Sequence, residues 1–205
     1  MENYHKIFFI FIRRQPVGVV VCVWGVVDLQ TTPGGTNYAY GSIHEALTTG
    51  LGAHTTTTPI LTFTAAADTV ETQSVSLDSF AGFGKSVTIA GASGGTTIIP
   101  APTLSGSLFS TSSNNALTLN LSSLTFTGFS YIYSGSVLST SGALTLNSTG
   151  TNPVTFTGNS SNGQGGAIYT SRDVTLTDTQ FINNTATRYS GGAVHTYLCW
   201  WQFYL

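Results

Sequence analysis

Residues 44–48 read HEALT and open like the zinc-binding pattern HExxH, but the fifth position is Thr48, so the second imidazole of such a site is missing. SFAGFGKS, residues 79–86, ends as a phosphate-cradling loop ends. Ser79 stands where that loop needs its first glycine, and the VTIAG that follows reads as a strand rather than the helix whose N-terminus would hold phosphate. NGQGGA, 162–167, lacks the aspartate of calcium-binding glycine repeats. After residue 50 the carboxylates are Asp68, Glu71, Asp78, Asp173 and Asp178. Glycoside hydrolysis needs two facing carboxylates, and lyase chemistry on acidic sugars needs a carboxylate cluster for calcium beside a basic residue. Asp173 and Asp178 bracket the run VTLT and stand about 17 Å apart by strand rise, too far for such a pair. Arg172 beside Asp173 reads as a solvated turn pair, and His5, His54 and His195 as exposed polar positions. Cys22 and Cys199 form no CxxC spacing; one disulfide is arithmetically open to them, and two unpaired thiols is the simpler reading. The residue inventory thus points to no catalytic set, no metal site and no cofactor, and the chain is expected not to be an enzyme.

Composition narrows the class further. Only 7% of the 205 residues are charged, against about 25% in an ordinary soluble domain, so solubility must come from the Ser, Thr, Asn and Gly that dominate after residue 30. Aromatic residues make up 12%, which is not a disordered composition. The net charge is −2 and the six basic residues are scattered, which excludes a nucleic-acid partner recognised through phosphates. Glycosylation tripeptides begin at Asn120, Asn147, Asn159 and Asn183, a number that chance supplies in so Asn- and Thr-rich a chain.

Residues 1–30 differ from the rest. IFFIFI (7–12) and VGVVVCVWGVV (17–27) flank Arg13 and Arg14, and neither reaches the roughly 20 apolar residues of a membrane span. A basic pair before an 11-residue apolar core reads as a secretory signal, although a small-residue cleavage pattern is absent; a hydrophobic N-terminal strand or a misassigned start codon are the other readings.

From residue 35 the elements that must position any site are strands. GSIHEALTTGLG (41–52) alone has helical spacing, with Ile43, Ala46 and Leu47 on one face, Ser42 and Glu45 placed for a capping box, and Gly50 or Gly52 as terminator. Nine short runs then alternate apolar residues with Thr or Ser, beginning at residues 60, 86, 96, 116, 123, 143, 154, 167 and 174. Two of the intervening stretches repeat. FTGNSSNGQGGAI and FINNTATRYSGGAV carry Phe156 and Asn159, then Phe181 and Asn184, and after a loop Gly165, Gly166, Ala167 and Ile168, then Gly191, Gly192, Ala193 and Val194. A weaker copy stands at Phe126 and Phe129. A period near 25 residues holding several short strands predicts an all-β fold, a right-handed, single-stranded parallel β-helix over residues 35–196 behind a short N-terminal capping helix. Successive turns lie about 4.8 Å apart, so Phe156 should stack on Phe181 and Asn159 should ladder with Asn184, while glycine supplies the positive φ of a sharp corner.

These same residues resemble the paired FxxN and GGA[ILV] repeats of the chlamydial polymorphic membrane proteins, a family of autotransporter surface proteins; SLTFTGFSYI and GALTLN are similar to segments between that family's repeats. The resemblance covers roughly 125–194 and implies a surface-displayed or secreted β-helical passenger at the bacterial outer membrane that adheres to a host-cell surface protein or glycan. Full members carry many repeats and a C-terminal translocator barrel that anchors them to the outer membrane; neither is found here, and residues 197–205, YLCWWQFYL, read as an aberrant tail of a truncated chain. A second resemblance, YGSIHEALTTG with KSVTIAGASGGTTII, is similar to the cap and first coils of pectin-lyase-like β-helices. That superfamily includes polysaccharide lyases and glycosidases, and a carbohydrate-active β-helix fragment is therefore the alternative.

Overall fold

The computed structural model describes residues 27–30, 37–50, 58–64, 68–149 and 152–197. Its chain winds into a parallel β-solenoid of about five turns. The cap comprises β1 (Val27–Gln30), β2 (Asn37–Tyr40) and α1 (Ile43–Glu45). Turn one holds β3 (Ile60–Phe63), β4 (Thr69–Glu71) and β5 (Val75–Ser76), and turn two β6 (Val87–Ala90), β7 (Thr96–Pro100) and β8 (Phe109–Thr111). Turn three holds β9 (Leu117–Ser122), β10 (Leu124–Thr127), β11 (Ser130–Tyr131) and β12 (Leu138–Thr140); turn four β13 (Leu144–Ser148), β14 (Val154–Thr157), β15 (Ser160–Ser161) and β16 (Ile168–Thr170). Turn five holds β17 (Val174–Thr177), β18 (Thr179–Ile182), β19 (Thr185–Ala186) and β20 (Val194–Thr196). Four sheets run along the axis, ordered β17-β13-β9-β6-β3-β1-β2, β18-β14-β10-β7-β4, β11-β15-β19 and β20-β16-β12-β8-β5.

Alternation drives this winding. Leu117, Leu119 and Leu121 of β9 point inward while Thr118 and Asn120 face out, and the same order recurs in β13 with Leu144 and Leu146. Register places like on like: Leu117 pairs Leu144, Leu119 pairs Leu146 and Phe126 pairs Phe156. The leucine and phenylalanine columns so formed are files of apolar side chains whose burial supplies most of the stability. A second file, not anticipated from the sequence, runs through Thr111, Thr140, Thr170 and Thr196. Thr111, Thr140 and Thr170 each accept, through Oγ1, from the N–H two residues on, the short hydroxyl turn that swings the chain from one sheet to the next.

The cap departs from the expected pattern in three ways. β1 pairs antiparallel with both β2 and β3, so the solenoid's first edge is closed by strands running against it. Val27–Gln30, at the end of the segment read as signal-like, form β1, with Val27 and Leu29 buried. The helix expected over 41–52 is only α1, followed by a wider helical turn at Ala46–Gly50. Ser42 Oγ does accept from Glu45 N at 3.0 Å, but the Glu45 carboxylate reaches one residue further back, to Gly41 N at 2.8 Å. Gly50 ends the turn because a Cβ there would lie 2.7 Å from Leu29 and from the Tyr40 ring. Cys22, Cys199, His5, His54, Gly52 and most of the apolar N-terminus and the tail lie outside the described residues.

Two carboxylates are absorbed by the scaffold. Glu71, fully buried in β4, accepts from Ile43 N at 2.8 Å and His44 N at 3.4 Å and ties turn one to the cap. Burial pushes its carboxyl above the ordinary value, against the pull of those two donors. Asp78 lies at the surface and accepts from Thr111 Oγ1 at 2.6 Å and from the backbone N–H groups of Ser112 and Ser113 at 2.8 and 3.0 Å. The Thr111 hydroxyl leads in lowering its pKa from 3.8 to about 2. Its folded value lies below the unfolded one, so its contribution to stability is complete above the ordinary value and is lost as pH falls through about 2. Asp78→Asn should therefore lower the thermal midpoint at pH 6 and narrow the gap to wild type as pH approaches 2, an effect trimmed by solvent. Melting curves separated by a constant gap across that range would refute this assignment.

Candidate functional site

Turns three to five carry the repeat, and the solenoid brings its expected residues together. Phe156 lies between Phe126 and Phe181 with ring centroids 5.1 and 5.2 Å away and planes within 16° and 12° of parallel. Phe109 closes the inner end of the file edge-on at 6.1 Å. Asn159 is fully buried. Its Nδ2 donates to Asn184 Oδ1 at 2.9 Å and to the Phe126 carbonyl at 3.0 Å, while its Oδ1 accepts from Phe129 N at 3.0 Å. Asn184 repeats the geometry one turn on, donating to the Phe156 carbonyl at 2.8 Å and accepting from Asn159 N at 3.0 Å. The asparagine of each turn thus satisfies the two backbone groups that the FxxN corner of the preceding turn leaves open. A glycan on Asn159 is incompatible with these bonds, whatever its tripeptide.

The third position of this corner is left-handed in all three turns, including turn three where Phe129 replaces the asparagine: Gly128 (φ 74°), Gly158 (φ 62°) and Asn183 (φ 53°). Only glycine, or an asparagine tolerant of that region, fits. The double glycine divides its labour. Gly165 and Gly191 are left-handed at φ 66° and 79°, whereas at Gly166 a Cβ would lie 2.1 Å from the Gly192 carbonyl oxygen. Ile168 and Val194 then pair as first residues of β16 and β20, with Ala167 N donating to Ala193 O at 2.9 Å. GSLF (106–109) and GSVL (135–138) occupy the equivalent place two turns and one turn earlier, where the Ser107 and Ser136 hydroxyls donate to the Gly135 and Gly166 carbonyls. Sequence reading missed them because serine replaces the second glycine; the shared glycine, small residue and apolar pair was the available sign. His195, read as exposed, is half-buried and stacks on Tyr169 at 5.8 Å with planes 3° apart.

Outside the interior, the same three turns build a groove of about 420 Å³ lined by Ile132, Tyr133, Ser134, Asn162, Gly163, Arg188 and Tyr189. It arises from unequal corners. Tyr133, Gly163 and Tyr189 each stand two residues before the left-handed glycines Gly135, Gly165 and Gly191, so turns three and five raise walls and turn four lays a floor. Gly163 N donates to Tyr133 O at 2.9 Å and Gln164 N to Ser134 Oγ at 3.0 Å, which holds floor against wall. A Cβ on Gly163 would lie 2.8 Å from the Tyr133 backbone. Turn five takes seven residues from Thr185 to Gly191 where turn four takes six from Ser160 to Gly165, and Arg188 lies in that longer corner. Among the described residues no group of three or more His, Cys, Asp or Glu is placed to hold a metal ion, and no helix is long and apolar enough to cross a membrane.

Residues 153–171, which contain Phe156, Asn159 and the Gly165–Ile168 corner, match the family model of the Chlamydia polymorphic membrane protein repeat. No curated protein and no solved structure matches the chain.

Proposed function

We propose that this chain, the bearer of a chlamydial polymorphic membrane protein repeat on a parallel β-solenoid, serves as an autotransporter passenger at the bacterial cell surface and acts there as a non-enzymatic adhesin. The family is one of outer-membrane surface proteins. The observation that carries the reading is that the signature residues of the matched stretch build the scaffold: Asn159 is consumed by its ladder, and Phe156 by its stack. Glu71 and Asp78 are likewise engaged in holding turns together. What the solenoid offers a partner is an outer wall of Thr, Ser and Asn broken by an aromatic groove, a surface suited to recognition.

Beads coated with the purified chain should adhere to cultured epithelial cells, and soluble chain should compete for the same places. Uncompeted or absent adhesion would overturn the adhesive reading. Turnover of pectate or polygalacturonate by the chain would overturn the non-enzymatic one and favour the carbohydrate-active alternative.

A further inference from the structure

We infer that the groove between turns three and five binds an anionic sugar, with Tyr133 and Tyr189 as its walls and Arg188 as the group that recognises the negative charge. This inference rests on the adhesive reading and gives it a ligand class. Tyr133 and Tyr189 are each 66% exposed, yet they lie in a chain that buries most of its large apolar side chains. They are two strand spacings apart, about 9.6 Å along the axis. That spacing leaves room between the two aromatic walls for one pyranose layer. Tyrosine also suits the task physically, since it offers a large amphipathic surface at low cost in side-chain entropy.

The polar groups fit the same ligand. Asn162 and Ser134 put an amide and a hydroxyl on the floor and one wall, the hydrogen-bonding complement of sugar hydroxyls. Arg188 is the only charged group lining the groove, and among the described residues it has no carboxylate partner. Its planar fork matches a carboxylate or sulfate through two parallel hydrogen bonds. With only 7% of residues charged, a lone arginine beside two tyrosines is a departure from the chain's own composition. Charge complementarity therefore selects an acidic ligand over a neutral one, and an amide and a hydroxyl set between two tyrosine faces match the hydroxyls and ring face of a sugar.

The test uses the full chain and four probes: sialyllactose and a galacturonate trisaccharide as carboxylated sugars, a heparin-derived hexasaccharide as a sulfated one, and lactose as the neutral control. Titration followed by NMR or calorimetry should show at least one acidic probe binding about tenfold or more tighter than lactose, with affinity falling as salt rises. Which acidic probe binds decides between carboxylate and sulfate. Arg188→Gln should erase the preference for acid over neutral, a loss of about 10–100-fold. Tyr133→Ala with Tyr189→Ala should abolish binding of every probe while leaving the melting temperature unchanged, both side chains being outside the core. Equal binding of acidic and neutral sugars, no binding of any probe, or wild-type affinity in Arg188→Gln would overturn the inference. Bead adhesion by the same variants keeps the two readings apart: adhesion without sugar binding sinks the groove alone, and sugar binding without adhesion sinks the surface role alone.

Discussion

Phe156→Ala should cost about 3–5 kcal/mol of stability, the upper range for removing a buried aromatic side chain. Three observations put it there. The ring is 1% exposed, so its whole area is removed from water in the fold. It stacks on Phe126 and on Phe181 at once, and each aromatic pair adds about 0.5–1.5 kcal/mol beyond burial. The void also has little freedom to collapse, because β14 is hydrogen-bonded to β10 on one side and β18 on the other. In a chain of this size each kcal/mol lowers the melting point by about 2–4 °C, so a fall of roughly 6–20 °C is expected. Phe156→Leu, which keeps the site apolar and mostly filled, should lose less than half as much. Thermal melts of both variants decide the matter, and an alanine variant within 3 °C of wild type would mean that the phenylalanine file is not a principal support of the fold.

Asn159→Ala should be nearly as damaging for a different reason. Deleting the side chain leaves the Phe126 carbonyl and the Phe129 N–H without partners in the interior, and each orphaned group costs about 1–3 kcal/mol. Asn159→Asp is the sharper test, since it keeps the shape. A carboxylate still accepts from Phe129 N but cannot donate to the Phe126 carbonyl or to Asn184 Oδ1, and it faces both oxygens with negative charge. The variant should be destabilised at neutral pH at least as much as alanine and should recover in part on acidification, where a protonated acid donates once. Denaturant titrations at pH 7 and pH 4 measure both. An aspartate variant as stable as wild type at pH 7 would show that the ladder's donors are dispensable.

Much of this architecture was legible before the structure, and the reason is local. All nine runs read from Thr/Leu alternation are strands, because inward and outward positions are recorded two residues apart in the chain itself. The FxxN stack was legible because a solenoid converts a sequence period into a contact. What escaped depends on neighbours. β11, β15 and β19 are two residues each and exist only as rungs beside one another. β1, VDLQ, is too short to read as a strand on its own, and only its pairing with β2 and β3 makes it part of a cap. The groove was invisible for the same reason, since Tyr133, Gly163 and Tyr189 are 30 and 26 residues apart and become adjacent only through register. Gly163 takes its meaning only from the contrast with the bulky corners on either side.

The asparagine ladder has a direction. Asn159 completes the corner of turn three and Asn184 that of turn four, and neither side chain serves its own turn. Turns three and four are therefore each finished by their successor, like a stitch locked by the next loop of thread. Shortening the chain from its C-terminal side should loosen not just the coil removed but the one before it, and amide exchange at Phe129 and Asn159 would record the unravelling one stitch at a time.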